Sequence, residues 1–234
     1  GLPIEKMVYD HSTGTIAGPY PFSPGKIVIL EGLHAFYREN LRRLCDFKLF
    51  VDPDPDVKKE WKLKRDTASR GYSEQEVRGE LAQRAVDFSA YIAPQRHYAT
   101  AVIGISFSRF GRNLGWEEDV YRISLDLSSW DHYPLGTGFS FDLGYLFKTY
   151  GRPFSLTFLQ GTSGGKRSGT LEMDGFLPRD CAGSLARFLE KTTGRDPGGN
   201  VHESRPLTPT HLARLLVCGC IVAHRLSLAG GNGM

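Results

Sequence analysis

The sequence is poor in several things, and each shortage excludes a class of protein. No uninterrupted apolar run approaches the roughly 18 residues that a membrane span needs, and the start lacks the basic-then-apolar pattern of a secretory leader. The expectation is a soluble cytoplasmic chain that does not act on membranes. Cysteine is scarce: Cys45, Cys181, Cys218 and Cys220 form no C-x-x-C pair, which argues against a zinc site and leaves four reduced thiols. Excess charge of one sign is missing too. Lys plus Arg number 29 against 26 Asp plus Glu, and a net charge of +3 is too mild to imply a nucleic-acid partner. With 40% hydrophobic and 24% charged residues in 234, the composition is that of an ordinary globular chain with ample material for a core. The first residue is Gly1 rather than Met, so an N-terminally incomplete chain is expected.

What is present alternates between short apolar runs and helical patterns. Ile27 to Leu30, after the turn signal Ser23-Pro24-Gly25, reads as a strand buried on both faces of a parallel sheet, and Phe47 to Val51 as a second. Ala35 to Cys45 between them has helical spacing, which gives a strand-helix-strand unit. A charged helix from Asp56 to Arg70 ends at Gly71. A second runs from Ser73 to about His97 and opens with Ser73 and Glu76 at capping-box spacing. Ala101 to Phe107 is another strand. From Val120 to Met173 the sequence becomes alternating and aromatic, with strands expected at Tyr121–Leu127, Phe139–Phe147, Phe154–Leu159 and Thr170–Met173. The end is helical, from Ala182 to Lys191 and from Pro209 to about Leu228 with Thr208 as N-cap.

Three segments have residue types suited to chemistry. Between Lys58 and Arg70 lie six cations and two anions, and helical spacing puts Lys62, Arg65, Asp66 and Ser69 on one face with Arg70 one turn beyond Asp66. Such a surface suits phosphate, because arginine offers forked donors and lysine a mobile charge. The plainer alternative is a solvated helix on which Asp66 pairs with Arg70. Glu31 follows a strand-like run, where nucleotide-binding α/β folds place a magnesium-directed carboxylate, although an acidic strand end is also common by chance. His11 sits in the polar stretch Tyr9 to Gly14, where a merely exposed histidine is the commoner outcome. The stretch Gly161 to Ser168 looks like a phosphate-cradling loop but fails the G-x-x-x-x-G-K-[ST] pattern at Gln160 and Arg167, and reads as a hairpin turn.

Taken in order, Tyr9-Asp10-His11 with Thr13-Gly14, Ile29 to His34, Trp61-Lys62 with Arg65-Asp66 and Arg70-Gly71, Arg84 with Asp87-Phe88, and Ile92 with Pro94-Gln95 resemble the phosphoribulokinases. These belong to the phosphoribulokinase and uridine kinase group of P-loop kinases. Leu171 to Gly175 and the terminal helix resemble the plant, cyanobacterial and archaeal type. The resemblance implies an α/β fold with a P-loop kinase-like parallel sheet, a helical lid over residues 56–97, an added antiparallel subsheet and C-terminal helices. It divides the chain into residues 1–109, the later part of the kinase core, and residues 110–234, the extension.

The same resemblance implies transfer of the γ-phosphoryl group of ATP, with Mg2+, to the 1-hydroxyl of ribulose 5-phosphate, in a homodimer of the cytoplasm or the plastid stroma. Glu31 would direct magnesium. Lys62, Arg65 and Asp66 would serve catalysis, while His11, Arg70 and Arg84 would hold the sugar phosphate. In the family, the P-loop and the catalytic aspartate precede the segment at which this sequence starts, so the N-terminal strand and P-loop are missing and no turnover is expected from these 234 residues. A uridine kinase-like enzyme and a non-catalytic binder of sugar phosphates or of a partner protein are the alternatives.

Overall fold

A computed structural model describes residues 2–10, 12–112, 119–127, 151–163, 166–196 and 207–230. The chain opens with an antiparallel ribbon of β1 (Ile4–Asp10) and β2 (Thr15–Phe22), turned through residues 12–14 with Gly14 at φ 69°. After an irregular stretch and the short helix α1 (Glu39–Leu44) comes a five-stranded mixed sheet in the order β3-β4-β5-β7-β6. Its members are β3 (Leu49–Pro53), β4 (Ala101–Phe107), β5 (Tyr121–Leu127), β6 (Phe154–Ser163) and β7 (Lys166–Gly175). Only β3 and β4 run parallel, joined by a crossover that contains α2 (Pro55–Arg70) and α3 (Glu74–Asp87). The other three pairings are antiparallel. The chain is thus α/β, with one parallel pair extended by antiparallel strands that lie on the far side of residue 109.

The core forms where periodicity and topology agree. Alternation along β5 turns Ile123, Leu125 and Leu127 inward, and cross-strand partners such as Leu171 and Met173 of β7 continue the same face. That face is covered by α4 (Gly183–Thr193), through Leu185 and Leu189, and by α5 (Pro209–Gly230), through Leu212, Ala213, Leu216, Val217 and Cys220. Full burial of each leucine is worth about 1.5–3 kcal/mol. On the opposite face Val102 of β4 is buried outside this cluster, as is Val57 of α2, which packs on β4. Pro209–Leu228 is long and apolar enough to cross a bilayer by length and composition; its place in the core accounts for that composition. Thr208 caps this helix by accepting the His211 backbone N–H, as its position before Pro209 predicts.

Three expectations are corrected. Residues 27–30 form no strand: Ile27, Val28, Ile29 and Leu30 are all more than half exposed, and no described strand pairs with them. β-propensity alone does not make a strand, because a ladder needs a neighbour. The second long helix ends at Asp87, not near His97. It passes through a π-turn at Phe88–Ile92 into a 3-10 turn at Ala93–Tyr98, where Pro94 has no N–H to continue the helical bonding. The helix expected over Ala35–Cys45 is confined to Glu39–Leu44, while the polar stretch around Asp10 lies at the tip of the β1–β2 ribbon. Elsewhere β4 and β5 have the expected bounds, β6 and β7 pair as a hairpin up to Ser163 and Lys166, and Phe139–Phe147 lies outside the described residues.

Candidate functional site

The basic helix and its neighbour make a charged hairpin whose local geometry follows from sequence. Asp54 and Pro55 start α2, and Gly71, at φ 72°, ends it in the left-handed conformation that glycine adopts without strain. Ser73 opens α3 with a complete capping box: its hydroxyl accepts the Glu76 N–H, and the Glu76 carboxylate accepts the Ser73 N–H at 2.8 Å. The three-residue connection sets the two helices side by side.

Across this hairpin two carboxylates organise four cations. Asp66 is 2% exposed, and its Oδ1 accepts Arg65 Nε at 2.7 Å and faces an Arg70 guanidinium nitrogen at 3.3 Å. Glu80 of α3 accepts Lys62 Nζ at 2.7 Å and faces Arg84 at 3.6 Å. The hydrogen bond from Arg65 holds the Asp66 carboxyl below the usual carboxylate range; burial opposes this, and the charges of Arg65, Arg70 and Lys62 reinforce it. Glu80 is lowered likewise, first by its hydrogen bond from Lys62. Arg65 is raised by its bond to Asp66. The Asp66–Arg70 pair expected of a plain solvated helix does form, yet Arg65, Arg70 and Arg84 each keep more than half of their side-chain surface open. The carboxylates therefore fix the bases of the cations and leave donors free for an anion. Glu80 escaped the sequence reading; its only signal was the i,i+4 spacing to Arg84.

The other candidates are placed separately. Glu31 is exposed and makes no hydrogen bond or ion pair among the described residues, and His11 lies outside them. The loop that carries Glu31 is nevertheless well anchored. Gln95, 3% exposed, accepts the Phe36 N–H at 2.8 Å and donates to the carbonyls of Leu33 and Tyr91 at 2.8 and 2.7 Å. Among the described residues no group of three or more His, Cys, Asp or Glu side chains could hold a metal ion. A single exposed carboxylate still fits magnesium, which usually takes one or two protein oxygens and fills its remaining positions with phosphate and water.

The crossover between β3 and β4 thus presents Arg65 and Arg70 on a buried aspartate. Residues 1–107 match the model of the Phosphoribulokinase / Uridine kinase family. Within it, the chain is 41% identical over 105 residues to the chloroplastic phosphoribulokinase of Arabidopsis thaliana, covering 45% of this chain and 27% of the relative. It is also 41% identical over 105 residues to the phosphoribulokinase of Synechocystis sp., covering 45% of this chain and 32% of that enzyme. The uridine kinase of Deinococcus deserti is 36% identical over 106 residues, 44% of this chain and 51% of the relative. The match thus spans about a third or less of the phosphoribulokinases.

Proposed function

We propose that the chain is part of an ATP-dependent phosphoribulokinase of the Calvin cycle, which converts ribulose 5-phosphate to ribulose 1,5-bisphosphate. The observation that carries this reading is the pair of guanidiniums held on buried Asp66 with their outer surfaces open, on a segment 41% identical to phosphoribulokinases. Arg70 and Arg84, with His11, bind the sugar phosphate; Lys62 and Arg65 offset charge on the phosphoryl group in transit. Asp66 orients Arg65 and Arg70 and keeps them from folding back on other carboxylates. Glu31 would help hold Mg2+, which would neutralise phosphate oxygens. Closing α2 and α3 over the site excludes water, which competes with the sugar hydroxyl. Residues 1–109, with the lid at 56–97, act as part of a P-loop kinase-like core and residues 110–234 as its extension. The enzyme is a homodimer of the cytoplasm or, in a plant or alga, of the plastid stroma.

Calorimetric titration of the 234-residue chain with ribulose 5-phosphate, and with uridine as comparator, tests this. Sugar-phosphate binding that Arg70→Ala and Arg84→Ala each weaken by roughly 5- to 150-fold, the cost of a charged hydrogen bond, supports it. Binding of uridine in preference moves the chain to the nucleoside kinases, and ribulose 5-phosphate affinity unchanged in both variants overturns the assignment of these arginines.

A further inference from the structure

Lys62 of α2 reaches Glu80 of α3, and another side of the helix is held by residues that lie beyond the family match. Trp61 Nε1 donates to the Tyr121 hydroxyl at 2.7 Å, and the two rings meet edge to face with centroids 5.5 Å apart at 84°. One residue earlier, Glu60 accepts Arg112, whose guanidinium lies 4.4 Å above the Phe107 ring centroid. Phe107 in turn pairs with Tyr121 across β4 and β5. Burial raises the Tyr121 phenol above its ordinary value and the hydrogen bond from Trp61 opposes this, so Tyr121 stays a neutral acceptor at physiological pH.

The chain around this grip is itself pinned by β7. Asp174, 1% exposed, accepts the Arg109 backbone N–H at 3.0 Å, and Glu172 accepts the Arg109 side chain at 2.9 Å. Arg112 closes the segment by accepting the Val120 N–H at 2.7 Å. The Leu171-Glu172-Met173-Asp174-Gly175 stretch thus fixes the segment from which Arg112 reaches α2.

We propose that Tyr121 and Arg112 are positioning residues: through Trp61 and Glu60 they hold α2 against the sheet, so that Lys62, Arg65 and Arg70 stay in register with Glu80 and Arg84. The extension is then part of the anion site's framework without touching the anion. The consequence for substrate rests on the phosphoribulokinase reading; the mechanical part does not.

The test is residue-resolved amide exchange of the 234-residue chain, run beside ribulose 5-phosphate titration. Tyr121→Phe and Arg112→Glu should each speed exchange across Lys62–Arg70 about fivefold, the loss of one hydrogen bond or ion pair, and leave α5 unchanged. The double variant Glu60→Arg with Arg112→Glu should restore protection to within about twofold of wild type, a rescue that a general loss of stability does not produce. Unchanged exchange in α2, a uniform rise along the whole chain, or failure of the charge swap to rescue overturns the proposal. Wild-type protein that ignores ribulose 5-phosphate yet shows the exchange pattern defeats the functional reading alone. Normal binding with α2 exchange indifferent to the substitutions defeats the positioning role alone.

Discussion

Residues 4–37 and residues 101–222 treat their apolar side chains in opposite ways. In the first stretch Ile4, Met7, Val8, Ile16, Tyr20 and Phe22 of the ribbon and all of Ile27–Leu30 are exposed, and Phe36 is its one buried large hydrophobic. In the second, Ile123, Leu125, Met173, Leu185, Leu212 and Leu216 are almost wholly buried in one continuous cluster. The match to the family model lies in residues 1–107, whereas nearly all the described core lies at or beyond residue 101. The motifs that reveal chemistry are therefore not those that hold the fold together, and substitutions in the two stretches should report on different properties.

The largest expected effect is in the core. Leu125→Ala and Leu212→Ala, each at a side chain with no exposed surface, should lower unfolding free energy by about 2–5 kcal/mol in denaturant titrations. Ile29→Ala, at 84% exposure, should change it by no more than ~0.5 kcal/mol. A comparable loss at Ile29 would break the comparison, because it would mean that the 27–30 run is packed in solution.

A smaller contrast uses two glycines of nearly the same backbone conformation. Gly175 has φ 78°, and a Cβ there would stand 2.1 Å from the Pro153 carbonyl oxygen; Gly71 has φ 72° with nothing within 4 Å. Gly175→Ala should cost about 3 kcal/mol, from conformation and overpacking together. Gly71→Ala should cost only the conformational part, about 1 kcal/mol. Equal melting shifts would show that backbone conformation alone decides the cost.

How much of this was legible depended on how local the physics is. The α2–α3 hairpin was readable because Gly71, Ser73 and Glu76 act within a turn of where they stand, and β5 because its alternation declares a face. The burial of residues 27–30 was misread because a strand's environment is set by neighbours and not by its own composition. Pro94 could have warned that the second helix does not reach His97. In the site, the shared face of Lys62, Arg65 and Asp66 followed from helical geometry. Glu80 and the Trp61–Tyr121 contact did not, since both depend on elements brought together across 18 and 60 residues.

The charged hairpin adds a pH signature in the acid range. Asp66, Glu76 and Glu80 all have carboxyls below their ordinary values of 3.8 and 4.5, through bonds from Arg65, Ser73 and Lys62 respectively. In the window between the folded and unfolded values the unfolded chain binds more protons. The stabilisation is therefore complete above about pH 4.5 and disappears as pH falls through the lowered folded values. Melts from pH 6 to 3 should show a steeper acid limb in wild type than in Glu80→Gln, while Leu212→Ala should shift the curve without changing its slope. A parallel curve for Glu80→Gln would mean that the Lys62–Glu80 bond does not persist in solution.

The smallest effect belongs to the cap of α3. Ser73→Ala removes the acceptor for the Glu76 N–H and the hydroxyl that donates to Glu76 Oε2 at 2.7 Å, but leaves the backbone N–H of residue 73 able to reach that carboxylate. Part of the capping box survives, so the loss should be about 0.5–1 kcal/mol rather than the upper end of the capping range. Fraying confined to the first turn leaves Glu80 and Arg84 in place, because they lie on later turns of α3. Ser73→Ala should thus lower the melting temperature slightly with ribulose 5-phosphate affinity unchanged. A loss of affinity as large as that of Arg84→Ala would mean that the first turn of α3 sets the position of the cations, and that the hairpin is organised from its connection rather than from α2.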